Sequence, residues 1–205
     1  MTTLEIRAAR TGDQAAAVPL IHSAGPVAFD YVFGRRGRPA TAFLDFAFAS
    51  GRGLFGSCNH FVAVHGGQVV ATVSLYSAPE HKTLTRVLPL QITQFYGVVR
   101  AAGVLRRSLQ VAGMMPGPEE HVEYLANFGV APELRSRGIG RRVLQFACDR
   151  ARERGKRLLA LDVVVGNARA QALYERFGLR VVAERGFNGP AGRVPDTRRM
   201  ELALA

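Results

Sequence analysis

Apolar and polar residues alternate through "HFVAVHGGQVVATVSLY", residues 60–76, and the pair Gly66-Gly67 splits the run in two. A period of two around paired glycines predicts a β-hairpin. The same alternation marks a short strand in "LEIRAA" near the start and another in "HVEYLANFGV", residues 121–130. "RLLALDVVV" is mostly apolar, the pattern of a buried strand, and "LRVVAER" and "RRMELALA" predict two closing strands. Between these runs the period changes to that of a helix. Val143, Leu144, Ala147, Cys148 and Ala151 share one face of a helix that starts near Gly138 and stops at Gly155. Asn167 is placed to cap a short helix, "ARAQALYERF", that ends at Gly178. Upstream, Thr11 and Gln14 have capping-box spacing, and "AFDYVF" and "TAFLDFAFAS" predict helical pieces around the loop "GRRGRP". The order of elements predicts an α/β chain whose central mixed sheet carries helices on both faces.

One segment breaks the rhythm. Residues 77–121 separate the hairpin from the next strand. Structureless connections of that length are rare inside compact domains. Leu84, Val87, Leu88, Ile92, Phe95, Val98, Val99, Val104 and Leu105 are too many apolar residues to leave in water, while Arg86, Arg100, Arg106 and Arg107 suit a solvated face. The segment therefore predicts a helical insertion interrupted near Pro89 and Gly103. It is expected to pack over the open end of the sheet, with Tyr96 or Phe95 in the wall of a pocket. A homodimer contact through the same face is the other expectation.

Composition narrows the class. Of the 205 residues, 48% are hydrophobic, enough for a sizeable core within a single domain, residues 1–205. No apolar run reaches the roughly 20 residues that span a bilayer, and the first residues lack the apolar stretch of a signal peptide. A cytoplasmic protein without membrane partners is expected. Cys58 and Cys148 have no metal-ligand spacing and are expected as free thiols, with no metal site. The net charge of +11 favours anionic partners. Nine basic residues face two acidic ones, Asp149 and Glu153, between Arg135 and Arg157.

That excess surrounds "ELRSRGIGRRV". Helix starts normally collect acidic residues, because their exposed N–H groups carry partial positive charge. Here a strand ends near Val130, a tight loop follows, and the helix opens at glycines with Arg135, Arg137, Arg141 and Arg142 around it. Gly138 and Gly140 let an outside group approach the backbone, and the unpaired N–H groups of the first turn form an anion cradle. An ordinary strand-to-helix turn with solvated arginines is the plainer alternative. A P-loop is absent, since no G-x-x-x-x-G-K-[ST] run exists. A dinucleotide fingerprint fails at its third glycine, where Val143 stands, although Asp162 lies at the spacing of a ribose-binding acid. Nucleic acid is not expected as a partner, because no stacking motif or recognition helix accompanies the charge.

The run Arg135-Ser136-Arg137-Gly138-Ile139-Gly140, preceded by Val130-Ala131-Pro132, resembles the [QR]-x-x-G-x-[GA] motif of the GCN5-related N-acetyltransferase (GNAT) superfamily. Asn167, Ala170, Leu173, Tyr174, Gly178 and Leu179 are similar to that family's second signature. The specific resemblance covers residues 123–183. It implies the GNAT fold, a mixed, mostly antiparallel sheet of about seven strands, with the helical insertion falling between the third and fourth. It implies acetyl-CoA as acetyl donor. The pyrophosphate would rest on the N–H groups of residues 137–141, including Ile139 and Arg141. The pantetheine arm would run along Phe128, Gly129 and Val130 like an added strand, and Asn167 would line the arm or cap its helix. The implied reaction is direct attack of a primary amine, on a small molecule or a protein, within a ternary complex. Tyr174 stands at the general-acid position, and an N–H near Phe128 would stabilise the oxyanion. A base is expected because a lysine-like amine is mostly protonated at neutral pH. Glu123 is the candidate, with Tyr124, a water on Asn127, and His60, His65 or His121 behind it. A non-catalytic acyl-CoA sensor is the alternative function.

Overall fold

The computed structural model describes residues 4–204; residues 1–3 and 205, the ends of the expected domain, lie outside it. Seven strands form one open sheet: β1 (Glu5–Ala8), β2 (His60–His65), β3 (Gln68–Tyr76), β4 (Val122–Val130), β5 (Leu158–Val164), β6 (Arg180–Arg185) and β7 (Thr197–Ala203). Their order is β1-β2-β3-β4-β5-β7-β6. Every neighbouring pair is antiparallel except β4 and β5. The expected mixed, mostly antiparallel sheet is what forms.

Seven α-helices join it: α1 (Gln14–Ser23), α2 (Pro26–Phe33), α3 (Ala40–Ala49), α4 (Ala78–Tyr96), α5 (Val98–Ala112), α6 (Ile139–Glu153) and α7 (Ala168–Phe177). The apolar face of α6, with Val143, Leu144, Ala147 and Cys148, buries against Leu125, Leu159 and Leu161 of the sheet, and Tyr174 of α7 joins this cluster. Ala17, Val18 and Ile21 of α1 and Leu44 and Phe48 of α3 pack with Val62 of β2. Val62 and Ala63 thus serve different clusters, as strand alternation requires.

Three sequence expectations change. Thr11 does not cap α1. Thr11–Asp13 is a 3-10 turn, in which the Asp13 carboxylate accepts from Arg10 N at 2.7 Å and pairs with Arg7, while Gln14 bonds to Asp45. The insertion breaks at Gly97, whose φ of 78° is left-handed, and neither Pro89 nor Gly103 interrupts its helix. Finally, Leu84 of α4 packs on the sheet against Tyr76, Val122, Tyr124 and Ala160, but most of the insertion's apolar face goes elsewhere. Ile92 and Tyr96 of α4 and Ala101, Val104 and Val111 of α5 build a second core with Val32 and Phe33 of α2 and Phe43 and Ala47 of α3. Phe33 stacks on Phe43 at 4.3 Å, and the Tyr96 hydroxyl donates to Phe33 O at 2.6 Å. Two apolar helix pairs met and buried one another, a more complete burial than a sheet rim offers.

Candidate active site

β4 and β5 pair only from Val122↔Leu158 to Tyr124↔Ala160, and then part. A bulge in β4 accompanies the parting: its register with β3 shifts between Thr72 and Ser74, and Asn127 takes φ of +52°. The β5-facing edge of β4 past Tyr124 has no strand partner among the described residues, which leaves backbone groups there for a ligand. A cleft of about 720 Å³ fills the opening, bounded by Phe128, Gly129 and Val130 on β4, residues 162–164 on β5, the first turn of α6, and α7.

The mouth of the cleft is built for an anion. Gly138 is the N-cap of α6 with φ of +81°, and Ser136 before it has φ of +62°. The first intrahelical bond is Arg142 N to Gly138 O, so the N–H groups of Gly138, Ile139, Gly140 and Arg141 have no acceptor inside the helix. A Cβ on Gly140 would fall 2.8 Å from Leu173 Cδ2 and 3.7 Å from the Phe128 ring, so glycine keeps this part of the cradle open. Arg135, Arg141, Arg169 and Arg176 all line the cleft. Arg135 Nε also donates to Val130 O at 2.9 Å, and Arg169 reaches Ser136 Oγ at 3.3 Å. These features fit a pyrophosphate: backbone donors at a helix start, room for close approach, and four guanidinium groups. Arg142 is not among them, because it donates to Leu4 O.

Ten of the twelve residues expected to hold cofactor border the cleft: Phe128, Gly129, Val130, Arg135, Ser136, Gly138, Gly140, Arg141, Asn167 and Tyr174. Arg137 is exposed and Ile139 is buried in the main core; neither borders it. Gly129 contributes backbone alone, since a side chain there would collide with Leu20 O of α1. Asn167 acts as a cap, its Oδ1 accepting from Ala170 N at 3.2 Å. Leu173, part of the second signature, also borders the cleft, as do Arg169, Arg176 and Phe177, which lie outside both motifs. The i, i+3, i+4, i+7 spacing of Ala170, Leu173, Tyr174 and Phe177 was the available signal.

Tyr174 lies in the cleft wall, its ring 6.4 Å from that of Phe128. Burial pushes its phenol well above the ordinary value of 10, so the proton stays on oxygen. Glu123 does not reach the cleft. It is fully buried beneath α6, where Arg154 Nη1 donates to its Oε1 at 2.8 Å while Arg154 also holds Glu80 of α4. Burial raises the Glu123 carboxyl and Arg154 works against that rise. The expectation that Glu123 serves as base therefore meets a geometric obstacle: neighbouring strand residues face opposite ways, and Glu123 faces α6. Tyr124 is committed elsewhere, to Asp162.

The bulge residue is held from the other sheet face. Asn127 Nδ2 lies 3.1 Å from Ser74 Oγ and 3.3 Å from His60 Nε2. His60 Nδ1 lies 2.9 Å from Gly56 O, so Nδ1 carries the proton and Nε2 accepts. Burial lowers His60 to about 4, which keeps it neutral. Of the other histidines, His65 is exposed at the hairpin end and His121 lies 3.7 Å from Glu119. No group of His, Cys, Asp and Glu that could hold a metal ion occurs among the described residues, and Cys58 and Cys148 are free there.

Residues 30–179 match the acetyltransferase (GNAT) family, and the protein belongs to that family. A Bacillus subtilis (strain 168) protein named for [ribosomal protein bS18]-alanine N-acetyltransferase activity is 34% identical over 56 residues, which span 27% of this chain and 37% of that relative. In fold, the chain resembles an N-acetyltransferase from Staphylococcus aureus Mu50, with a TM-score of 0.70 at 13% identity over 97% of this chain and 100% of that one. It also resembles yncA of Salmonella typhimurium, solved with its cofactor acetyl-CoA, with a TM-score of 0.56 at 19% identity over 98% and 94% of the two chains. No helix among the described residues is long and apolar enough to cross a membrane.

Proposed function

We propose that this protein transfers an acetyl group from acetyl-CoA to a primary amine, on a small molecule or a protein, by direct attack in a ternary complex. The observation that carries the proposal is the cleft where β4 and β5 part, with the first turn of α6 at its mouth and Tyr174 in its wall. When bound, acetyl-CoA supplies the activated thioester. The N–H groups of Gly138 to Arg141, with Arg135 and Arg141, hold its diphosphate. The freed edge of Phe128 to Val130 orients the pantetheine arm as an extra strand would. Phe128 N–H, next to the bulge, donates to the oxygen on which negative charge develops. Tyr174, a phenol kept neutral by burial, would give its proton to the departing sulfur and regain, through solvent, the proton that the attacking nitrogen loses.

The absence of Glu123 from the cleft gives some support to a second reading, an acyl-CoA sensor without turnover. One experiment separates the two. Incubation with acetyl-CoA and a panel of amines and amino-terminal peptides should release free thiol for at least one acceptor. Tight acetyl-CoA binding with no thiol release across the panel favours the sensor.

A further inference from the structure

The α5 helix has an apolar stripe turned toward solvent. Val98, Ala102 and Leu109 follow one another at i, i+4 and i+11 on one face, with Leu105 between them half-buried against the helical core. Val98 is 79% exposed and Leu109 74%, and Val99 beside them is 93% exposed. The opposite face of α5 already satisfies the helical core through Ala101, Val104 and Val111. Val98, Val99 and Leu109 take no part in that core.

Arginines border this stripe without counterions. Arg106 and Arg107 belong to α5, and Arg35, Arg36 and Arg38 belong to the turn after α2. Above Gly103, Arg35 Nη2 and Arg107 Nη1 converge: each lies 3.7 Å from the position a Cβ would occupy. Burial lowers the Arg107 pKa first, and the nearby charges of Arg35 and Arg106 lower it further. Arg107 donates to Val32 O, and Arg38 lies over the Phe95 ring at 5.0 Å. None of these five arginines pairs with a carboxylate among the described residues. Residues 82–118 contain no Asp or Glu at all. Like charges gathered without a partner are unfavourable in the free protein and are relieved by an incoming anion.

We propose that this face of α5 docks an acidic amphipathic segment of another protein, whose apolar residues cover the Val98–Leu109 stripe and whose carboxylates pair with Arg35, Arg106 and Arg107. Charge decides against a second copy. A two-fold contact sets the same patch against itself and adds arginines to arginines. The stripe decides against nucleic acid. Phosphates answer the arginines but leave the valines and Leu109 in water, and no exposed aromatic in the patch offers a stacking surface.

The test uses the full chain and fluorescence anisotropy. The probe is a labelled synthetic helix with leucine at i, i+3, i+4 and i+7 and glutamate elsewhere. Controls are a leucine-free glutamate peptide and a single-stranded RNA. The amphipathic helix should bind in a salt-sensitive manner. Its affinity should fall about tenfold or more in Arg35→Glu/Arg106→Glu and again in Val98→Ser/Leu109→Ser, both at exposed positions, with acetyl-CoA affinity unchanged. Absence of binding overturns the proposal, and so does undiminished binding by either variant. Equal binding of the leucine-free peptide reduces the surface to charge alone. Tighter binding of RNA makes it a nucleic-acid surface. Self-association abolished by Val98→Ser/Leu109→Ser makes it a dimer contact. Each of these three results also overturns the proposal.

Discussion

The Tyr124 hydroxyl donates to Asp162 Oδ2 at 2.6 Å, at the vertex where β4 and β5 begin to diverge. Arg199 of β7 completes the clasp: it reaches both Asp162 oxygens at 3.0 Å, donates to Pro116 O and lies over the Tyr124 ring. The Asp162 side chain is fully buried and that of Arg199 nearly so. The clasp ties β4, β5 and β7 to the end of the insertion just where the cleft opens. Asp162→Asn leaves the Arg199 charge buried without its counterion. The expected loss is about 3–5 kcal/mol of unfolding free energy, read from urea denaturation. A loss below about 1 kcal/mol would mean that the clasp contributes little.

Gly140→Asp should weaken acetyl-CoA binding by tenfold or more, because it sets a negative charge and a side chain beside the expected diphosphate. The new Cβ presses on the end of Leu173, a flexible side chain, so the fold should persist. Calorimetry checks the affinity and circular dichroism the fold. Wild-type affinity in a folded variant removes the α6 cradle from the binding site.

Tyr174→Phe deletes a hydroxyl that makes no hydrogen bond within the described chain, so stability should change little. Turnover should drop about tenfold or more while acetyl-CoA affinity holds, the signature of a lost proton donor. Steady-state kinetics with the best acceptor supplies the measurement, and undiminished turnover makes Tyr174 a packing residue.

His60 gives stability a pH dependence. Its folded value is about 4 against an ordinary 6.5. Between those values the unfolded chain binds more protons than the folded one. Stability from this group is therefore complete above pH 6.5 and is lost as pH falls toward 4, by about 3 kcal/mol in all. His60→Gln should flatten this part of the profile in denaturation curves taken across the range. An unchanged slope would show that other groups produce it.

Asn127→Gly keeps a residue that tolerates the left-handed bulge but removes the carboxamide held by His60 and Ser74. If that anchoring aims Phe128 N–H, turnover should fall several-fold at constant acetyl-CoA affinity. Equal turnover would leave the bulge fixed by the strands alone.

The period of the hydrophobic pattern determined most elements, because a strand or an amphipathic helix writes its buried face into consecutive residues. The hairpin at Gly66-Gly67, the helix opening at Gly138 and the Asn167 cap were legible for that reason. So was most of the cleft lining, whose residues lie within one strand–loop–helix stretch and the following helix. Three matters were decided only by tertiary structure. Strand alternation left open which face Glu123 takes, and the position of Arg154 at the end of α6 sets it. The partner of the insertion depended on α2 and α3, more than thirty residues upstream of most of it, whose aromatics offered Tyr96 and Ile92 a fuller burial than the sheet rim. The Tyr124–Asp162–Arg199 clasp joins three strands that are adjacent in space and distant in sequence. Its parts are ordinary polar residues in one dimension, and their meaning comes from being desolvated together.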